Sequence, residues 1–331
     1  MILVTGGTGF LGAYLLMELT QQGKPVRALK RSKSSVAYTE SIFKYTLGSK
    51  GEELFTRINW VNGDIMDIFS LEEAMQGIDE VYHCATEVSL RDENPDEIIF
   101  TAERGTENMV NIALEKGVKK FCHVSSVAAL GEYDNGKEMT EEVFEEFTHI
   151  NNSPYAIGKH LAEAQVWRAH AEGLNVVVVN PTIILGPWGG KAGSMSFFHH
   201  LKKSSTFYTS GTVGFVDVND VVKTMIRLMD ENKMGERYII SAENLSLYNF
   251  FTHITQQINK PAPRIKMGKT GLKIFKFINN LAGGTKITST MVAHSSGTFI
   301  YSNKKITKAL NYSFIPIKQS IEQCASFLKS N

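Results

Sequence analysis

The 331-residue chain is short of most features that would place it outside the ordinary globular proteins. It has three cysteines, Cys84, Cys122 and Cys324. The count is odd, no two stand at a metal-ligand spacing, and Cys84 and Cys122 fall inside apolar runs. A disulfide framework is therefore not expected, and a reducing, cytoplasmic setting fits better. Formal net charge is only +1, which gives no global electrostatic case for nucleic acid or an anionic membrane. No apolar run is long enough to span a bilayer. No charged leader precedes the first apolar run at Met1, so no signal peptide is expected. Internal repeats and low-complexity stretches are lacking too. The adjacent His199 and His200 have no partner at a zinc spacing, and no metal site is expected.

What is present is an alternation. Hydrophobic residues make up 43% and charged residues 21% of the chain, enough to bury a sizeable core. Strand signals fall at Ile2–Val4, Val26–Leu29, Ile58–Val61, Glu80–Cys84, Lys120–Val124 and Val176–Val179. Helical spacing runs from Phe10 to Gln22, with Gly23 as a cap, from about Pro95 to Lys116, and from about Pro154 to Glu172. Strands alternating with helices predict a Rossmann-type, doubly wound parallel α/β sheet covered on both faces. After Pro181 the rhythm changes. Gly214–Val218 reads as a brief return to the sheet, with Asn219 or Asp220 capping the next helix, and Arg237–Ile240 as a further strand. The expected division is a dinucleotide-binding domain over 1–180 with 212–242, and a smaller, mostly helical C-terminal substrate lobe over 181–211 with 243–331.

The chemistry begins at Thr5-Gly6-Gly7-Thr8-Gly9-Phe10-Leu11-Gly12. A strand precedes this turn and a helix follows it. Gly6 allows the tight turn, Gly9 lets the backbone approach a pyrophosphate, and Gly12 lets the helix pack on the strand. The free N–H groups and the dipole of the helix would face the phosphates. A glycine turn without a ligand is the bland alternative. At the end of the second strand stands Leu29-Lys30-Arg31-Ser32-Lys33. An acid here would bond ribose hydroxyls, but cations cluster where a 2′-phosphate would sit, and Arg offers a planar fork. This favours NADP(H), with NAD(H) as the other option and a solvated basic turn as the bland one. Asp64 and Ile65 could bracket an adenine ring, unless Asp64 only caps a turn.

Tyr155 and Lys159 stand four apart on an expected helix, on one face. A cation beside a phenol favours the phenolate and lowers its pKa. Ser125 and Ser126 end the fifth strand, at the carboxyl edge where open α/β sheets bind ligands. His83 reads as a buried, hydrogen-bonded histidine. Asp217 and Asp220 read as caps or structural acceptors. Lys266–Asn280 mixes lysines with apolar residues and reads as a lobe helix with a solvated face, rather than a membrane or apolar-substrate contact.

With these motifs in order, together with Gly63-Asp64, His83-Cys84-Ala85, Gly105-Thr106-Glu107-Asn108, Asn180-Pro181 and Gly186-Pro187, the chain resembles the extended short-chain dehydrogenase/reductases. Within them it is similar to the NAD-dependent epimerase/dehydratase family and its dihydroflavonol-reductase-like branch. The resemblance implies that Tyr155 is the general acid in reduction. It implies that Lys159 holds the nicotinamide ribose and depresses the Tyr155 pKa, and that Ser126, preferred to Ser125 by its distance from Gly131, orients the carbonyl. It further implies that Cys84, Ala85, Thr86 and Ser125 line the cofactor, that Pro181 and Ile183 pack near the nicotinamide, and that Arg31 takes the 2′-phosphate. Val88, Ser126, Trp188, Met195 and Phe198, with Phe197, Phe207 and Tyr208, are the apolar pocket candidates. A homodimer through the helices near 95–116 and 154–172 is implied by the resemblance alone.

Three positions depart from the family pattern: Ala102 where an Asn is usual, Gly158 where Ser or Ala is usual, and Thr86 where Ala is common. The expected activity is NADP(H)-dependent reduction of a carbonyl, or oxidation of an alcohol, on a small to medium, fairly apolar substrate. The alternatives are a nucleotide-sugar epimerase or dehydratase, for which Arg264 and Lys266 would be the diphosphate grips, and a non-catalytic dinucleotide sensor.

Overall fold

A computed structural model of the chain describes residues 1–85, 94–131, 136–142, 153–188, 193–203, 206–268 and 295–330. Thr86 and Val88, and the segment after Gly268 that was read as a lobe helix, lie outside the described residues. The chain opens with β1 (Ile2–Thr5), α1 (Phe10–Gln21) and β2 (Val26–Lys30). Two helices that carried no sequence signal follow, α2 (Ala37–Leu47) and α3 (Ser49–Thr56). Next come β3 (Asn59–Asn62), α4 (Ile68–Ala74), β4 (Glu80–His83), α5 (Pro95–Glu115), β5 (Lys120–Val124) and a short β6 (Glu138–Met139). Then α6 (Pro154–Ala171), β7 (Val176–Pro181), β8 (Ile183–Leu185), α7 (Met195–Lys203), β9 (Phe207–Tyr208), β10 (Thr212–Asp217) and α8 (Val218–Asp230). The last elements are β11 (Glu236–Ile240), β12 (Glu243–Ser246), α9 (Leu247–Gln257), β13 (Ile265–Lys266), β14 (Ile300–Tyr301), α10 (Lys304–Leu310) and α11 (Ile317–Ser330).

Seven strands form one parallel sheet in the order β11-β7-β5-β4-β1-β2-β3. Each pairs in parallel register with its neighbour, for instance Val4 opposite Tyr82 and Cys122 opposite Val177. The four consecutive valines of β7 are wholly buried, as a strand covered on both faces requires. One face packs on α1 and α8 through Leu15, Leu19, Val222 and Met225. The other packs on α4, α5 and α6 through Leu71, Met109, Ile112 and Val166.

Helix ends show why the chain breaks where it does. After α1, Gly23 takes a left-handed φ of +72°. Its N–H bonds Thr20 O (3.0 Å) and that of Lys24 bonds Leu19 O (3.0 Å), satisfying the last carbonyls of the helix. Pro154 opens α6, where the Ser153 hydroxyl accepts from Ala156 N (3.1 Å). At α8 the cap is Asp217, which accepts from Asn219 N (2.8 Å), and neither Asn219 nor Asp220 caps the helix. Asp220 instead accepts from Tyr312 Oη (2.8 Å) and Ile315 N (2.8 Å), tying the C-terminal segment to α8.

A second correction concerns β10. It does not return to the main sheet. It pairs antiparallel with β12 and parallel with β8 in a separate three-stranded sheet. Around that sheet lies another apolar core, built on Phe198, Phe215, Phe250, Leu247, Ile317 and Ile321.

Candidate active site

From β1 the chain runs outward through β2 and β3, then resumes on the other side with β4, β5, β7 and β11. The order reverses between β1 and β4, and a crevice opens there at the carboxyl ends of the strands. Gly6 follows β1, Cys84 and Ala85 follow β4, Ser125 and Ser126 follow β5, and Pro181 ends β7. These sequence-predicted site residues thus converge on one edge of the sheet.

The glycines meet hard steric limits. A Cβ on Gly6 would lie 2.7 Å from Ala85 N, and one on Gly12 would lie 2.2 Å from Gly6 O. The first turn of α1 has no side-chain cap and no acidic residue, so its amides face the crevice without a competing group from the chain. A dinucleotide pyrophosphate fits this cradle of small residues and free N–H groups. Sequence reasoning missed the support beneath it. Thr39 of α2 donates to Gly7 O (3.0 Å) from a buried position. Gly186 lets the segment after β8 lie on α1, where a Cβ would meet Phe10 Cζ at 3.0 Å, and Tyr14 Oη donates to Pro187 O (2.8 Å).

At the end of β2, Lys30 Nζ donates to Asn62 Oδ1 (2.9 Å), while Arg31 is exposed and makes no ion pair with a described carboxylate. Asp64 is a turn cap, its Oδ1 accepting from Met66 N (3.0 Å). The position of Ile65 is set by two residues of the Gly105-Thr106-Glu107-Asn108 motif. Gly105 leaves room for its side chain, since a Cβ there would be 2.5 Å from Ile65 Cδ1. Asn108 donates to its carbonyl (2.9 Å).

Thr106 completes the same motif through a chain of hydrogen bonds. Ala85 N–H donates to Thr5 Oγ1 (3.1 Å), so the Thr5 proton is directed to His83 Nδ1 (2.8 Å). His83 then carries its proton on Nε2, facing Thr106 Oγ1 (3.3 Å), and the Thr106 hydroxyl donates to Ala102 O (2.8 Å). His83 is therefore a structural link between the cofactor edge and α5. Burial, aided by the nearby Lys159 charge, pushes its pKa down to about 3. It stacks on His123 (5.4 Å), whose pKa burial also lowers.

A base whose folded pKa is depressed stays neutral in the fold while the unfolded chain takes up a proton. Stability is then full above the ordinary histidine value and falls as pH drops toward about 3. We expect His83 to account for a loss on the order of 5 kcal/mol across that window. His83→Gln keeps a donor and an acceptor but does not titrate. Urea unfolding at neutral and mildly acid pH should show a shallower acid loss for this variant, and an unchanged slope would refute the role.

At the end of β5, Ser126 Oγ accepts from Ala128 N (3.2 Å), leaving the hydroxyl proton free to point elsewhere. It lies by Tyr155 and opposes the upward pull of burial on the Tyr155 pKa. Lys159 is fully buried and its Nζ donates to Val124 O (2.7 Å). Burial pushes its pKa down to about 8, against the pull of Cys84 and Glu163. The expected lowering of the Tyr155 pKa is not seen: burial raises it, and Lys159 is turned to the backbone of β5.

One turn beyond Lys159, buried Glu163 pairs with Arg237 (3.0 Å) and accepts from Asn180 Nδ2 (2.9 Å). The same Asn180 amide donates to Ser126 O (3.0 Å), so this pair fixes the backbone that carries Ser126. The Asn180-Pro181 motif is explained by that bond, and neither Glu163 nor Arg237 had been singled out from the sequence.

Two of the departures from pattern are neighbours. A Cβ on Gly158 would lie 3.1 Å from Ala102 Cβ, where α5 and α6 cross. The small pair allows close helix approach, and a larger residue at either position would press on the other.

The apolar pocket candidates are not brought together. Met195 and Phe198 are 1% and 0% exposed, packed into the second core rather than lining an open pocket. Trp188 lies over Phe10 (5.7 Å) and Tyr38 (5.5 Å), beside the glycine turn. Phe207 points to solvent, and Tyr208 packs on Tyr248 (4.6 Å).

The chain belongs to the NAD-dependent epimerase/dehydratase family, whose model matches residues 2–241. It is an enzyme of the NAD(P)-dependent extended short-chain dehydrogenase/reductase type. It is similar to a candidate dihydroflavonol 4-reductase of Synechocystis sp., with 30% identity over 267 residues covering 79% of this chain and 73% of that one. It is also similar to cinnamoyl-CoA reductase 1 of Petunia hybrida, with 27% identity covering 84% of each. The crystal structure of UDP-glucuronic acid 4-epimerase from Bacillus cereus with UDP-glucuronic acid and NAD superposes with a TM-score of 0.78 over 99% of each chain, at 17% identity, a likeness of fold. Among the described residues no helix is long and apolar enough to cross a membrane.

Proposed function

We propose that the chain is an NADP(H)-dependent carbonyl reductase or alcohol dehydrogenase acting through Ser126, Tyr155 and Lys159. The observation that carries this reading is that Ser126 and Tyr155 come together at the carboxyl edge of the sheet, next to the buried Lys159. When bound, the dinucleotide supplies or accepts a hydride. The glycine turn and the first turn of α1 hold its phosphates. Ser126 donates to the substrate oxygen and fixes it beside Tyr155, which gives up its proton as alkoxide charge develops. Lys159 reaches the ribose once its bond to Val124 O is exchanged for a sugar hydroxyl. The reductase names of the sequence relatives support this chemistry over sugar epimerisation.

The preference for the phosphorylated dinucleotide rests on the exposed Arg31, which has no carboxylate partner among the described residues. NADPH should bind more tightly than NADH. Arg31→Ala should erase most of that difference, by about ten-fold or more, because a charge-assisted phosphate contact is worth about 1.5–3 kcal/mol. Paired fluorescence titrations measure it, followed by a carbonyl screen at saturating NADPH. Equal affinities in the unaltered protein would overturn the preference. Turnover of a nucleotide sugar without net NADPH consumption would overturn the reductase reading.

A further inference from the structure

The net charge of +1 conceals a strongly divided molecule. Residues 173–216 and 244–321 contain no Asp or Glu and carry 14 Lys or Arg, 13 of them Lys. The rest of the chain has 21 Lys or Arg against 34 carboxylates. Among the described residues the acid-free stretches come together at a two-stranded ribbon, where β9 and β13 pair with Phe207 opposite Ile265 and Tyr208 opposite Lys266. Backbone bonds from Arg264 N (3.1 Å) and Ile265 N (3.0 Å) to Thr206 O, and from Met267 N to Tyr208 O (2.7 Å), lock the ribbon.

Register partners share a face, so Phe207 and Ile265 stand side by side. They are 51% and 50% exposed, a half-open apolar pair. Lys202 and Lys203 end α7 just before this ribbon, and Arg264 and Lys266 flank Ile265. All four are exposed, and none pairs with a described carboxylate. Elsewhere in the same stretches cations are neutralised, with Lys304 on Glu138 (2.8 Å) and Lys305 on Glu236 (2.6 Å).

We propose that this ribbon docks the protein on an anionic phospholipid bilayer. Phe207 and Ile265 enter the headgroup region while Lys202, Lys203, Arg264 and Lys266 meet the phosphates. An apolar pair with long cationic side chains on either side of it along the chain is the composition of an interfacial contact, since the stems can follow the apolar part while the charges stay with the headgroups. Lipid is favoured over a protein partner because protein interfaces complement charge locally and are depleted in Lys. A bilayer is negative everywhere, so a carboxylate anywhere on the facing surface is unfavourable.

The test is co-sedimentation of the full chain with vesicles of phosphatidylcholine alone and of phosphatidylcholine with phosphatidylserine. Binding should require phosphatidylserine and be lost in molar salt. Lys202→Glu/Lys203→Glu should weaken it by about ten-fold or more. Phe207→Ser/Ile265→Ser should weaken it without altering its need for phosphatidylserine. Lys50→Glu/Lys116→Glu, an equal charge change on remote exposed lysines, should leave binding unchanged. Melting temperature and dinucleotide titration establish that each variant is folded. Three results would overturn the proposal: no binding to phosphatidylserine vesicles at low salt, equal loss in the remote variant, or binding to RNA or an acidic protein but not to vesicles. The readout does not involve turnover, so it stands or falls apart from the reductase reading.

Discussion

Tyr155→Phe should lower the rate of NADPH oxidation by about a thousand-fold, the range expected when a general acid is removed, while dinucleotide affinity changes by no more than a few-fold. The substitution deletes one oxygen. That oxygen lies by Ser126, and its pKa is raised by burial. A neutral phenol is the form a proton donor requires, so the site as it stands is set for reduction. Removing the hydroxyl leaves the glycine cradle untouched, because Gly6, Gly12 and Thr39 lie on other elements. Single-turnover absorbance at saturating NADPH, paired with a binding titration, separates the two quantities. If turnover persists in the variant, Tyr155 is not the proton donor. If affinity collapses along with turnover, the phenol is part of the binding site instead. Ser126→Ala should fall between the two, because Ser126 aligns the substrate oxygen but does not transfer the proton.

Much of this site was legible because its signals are local. A glycine that needs a left-handed φ, a proline at the first position of α6, and a serine at the end of a buried strand each follow from chemistry within a few residues. What escaped was long-range. The helices α2 and α3 begin at Val36 and Gly48 without side-chain caps, so the sequence there offered no start signal. The Thr39 support of the glycine turn was hidden with them. Thr212–Asp217 showed its strand character plainly, but β-branched and aromatic residues do not say which sheet a strand joins. The same run extends to Asp217, which displaced the cap two residues upstream of Asn219. Met195 and Phe198 were read as pocket candidates because an apolar face on a helix looks the same whether it meets a substrate or Phe250.

The departures from pattern had a similar limit. Ala102 and Gly158 are far apart in sequence and read as two separate losses. In the fold they touch, and what they give together is a close crossing of α5 and α6 beside the reaction site. The bond from Lys159 to Val124 O supplies this lysine with a partner of its own. Charge was the other quantity that summation concealed, because a total of +1 is what remains when the acid-free stretches 173–216 and 244–321 cancel an acidic remainder.

Lys159→Met should abolish useful turnover and yet raise stability. Lys159 is fully buried, and burial pushes its pKa down to about 8, so the fold holds an ammonium group at neutral pH at a cost. Met fills nearly the same volume without a charge. We expect a gain of about 2 kcal/mol at neutral pH, after allowance for leaving the Val124 carbonyl without this donor. The pH dependence provides the check. A lysine with a lowered folded pKa costs the fold most below about 8, where folded and unfolded chains are both protonated. The cost shrinks as pH rises from there toward the ordinary lysine value, because the folded form releases its proton first. Urea unfolding of the two proteins should therefore show the largest gap at neutral pH and a closing gap toward pH 10 or so. A variant that is less stable than the original at neutral pH would mean that the bond to Val124 outweighs desolvation. The same protonation governs function, since only the charged ammonium can hold a ribose hydroxyl and favour the phenolate. Dinucleotide affinity should weaken above about pH 8 in the original protein, while the variant binds weakly and without that dependence. The residue that the reaction depends on is then the one the fold would be steadier without.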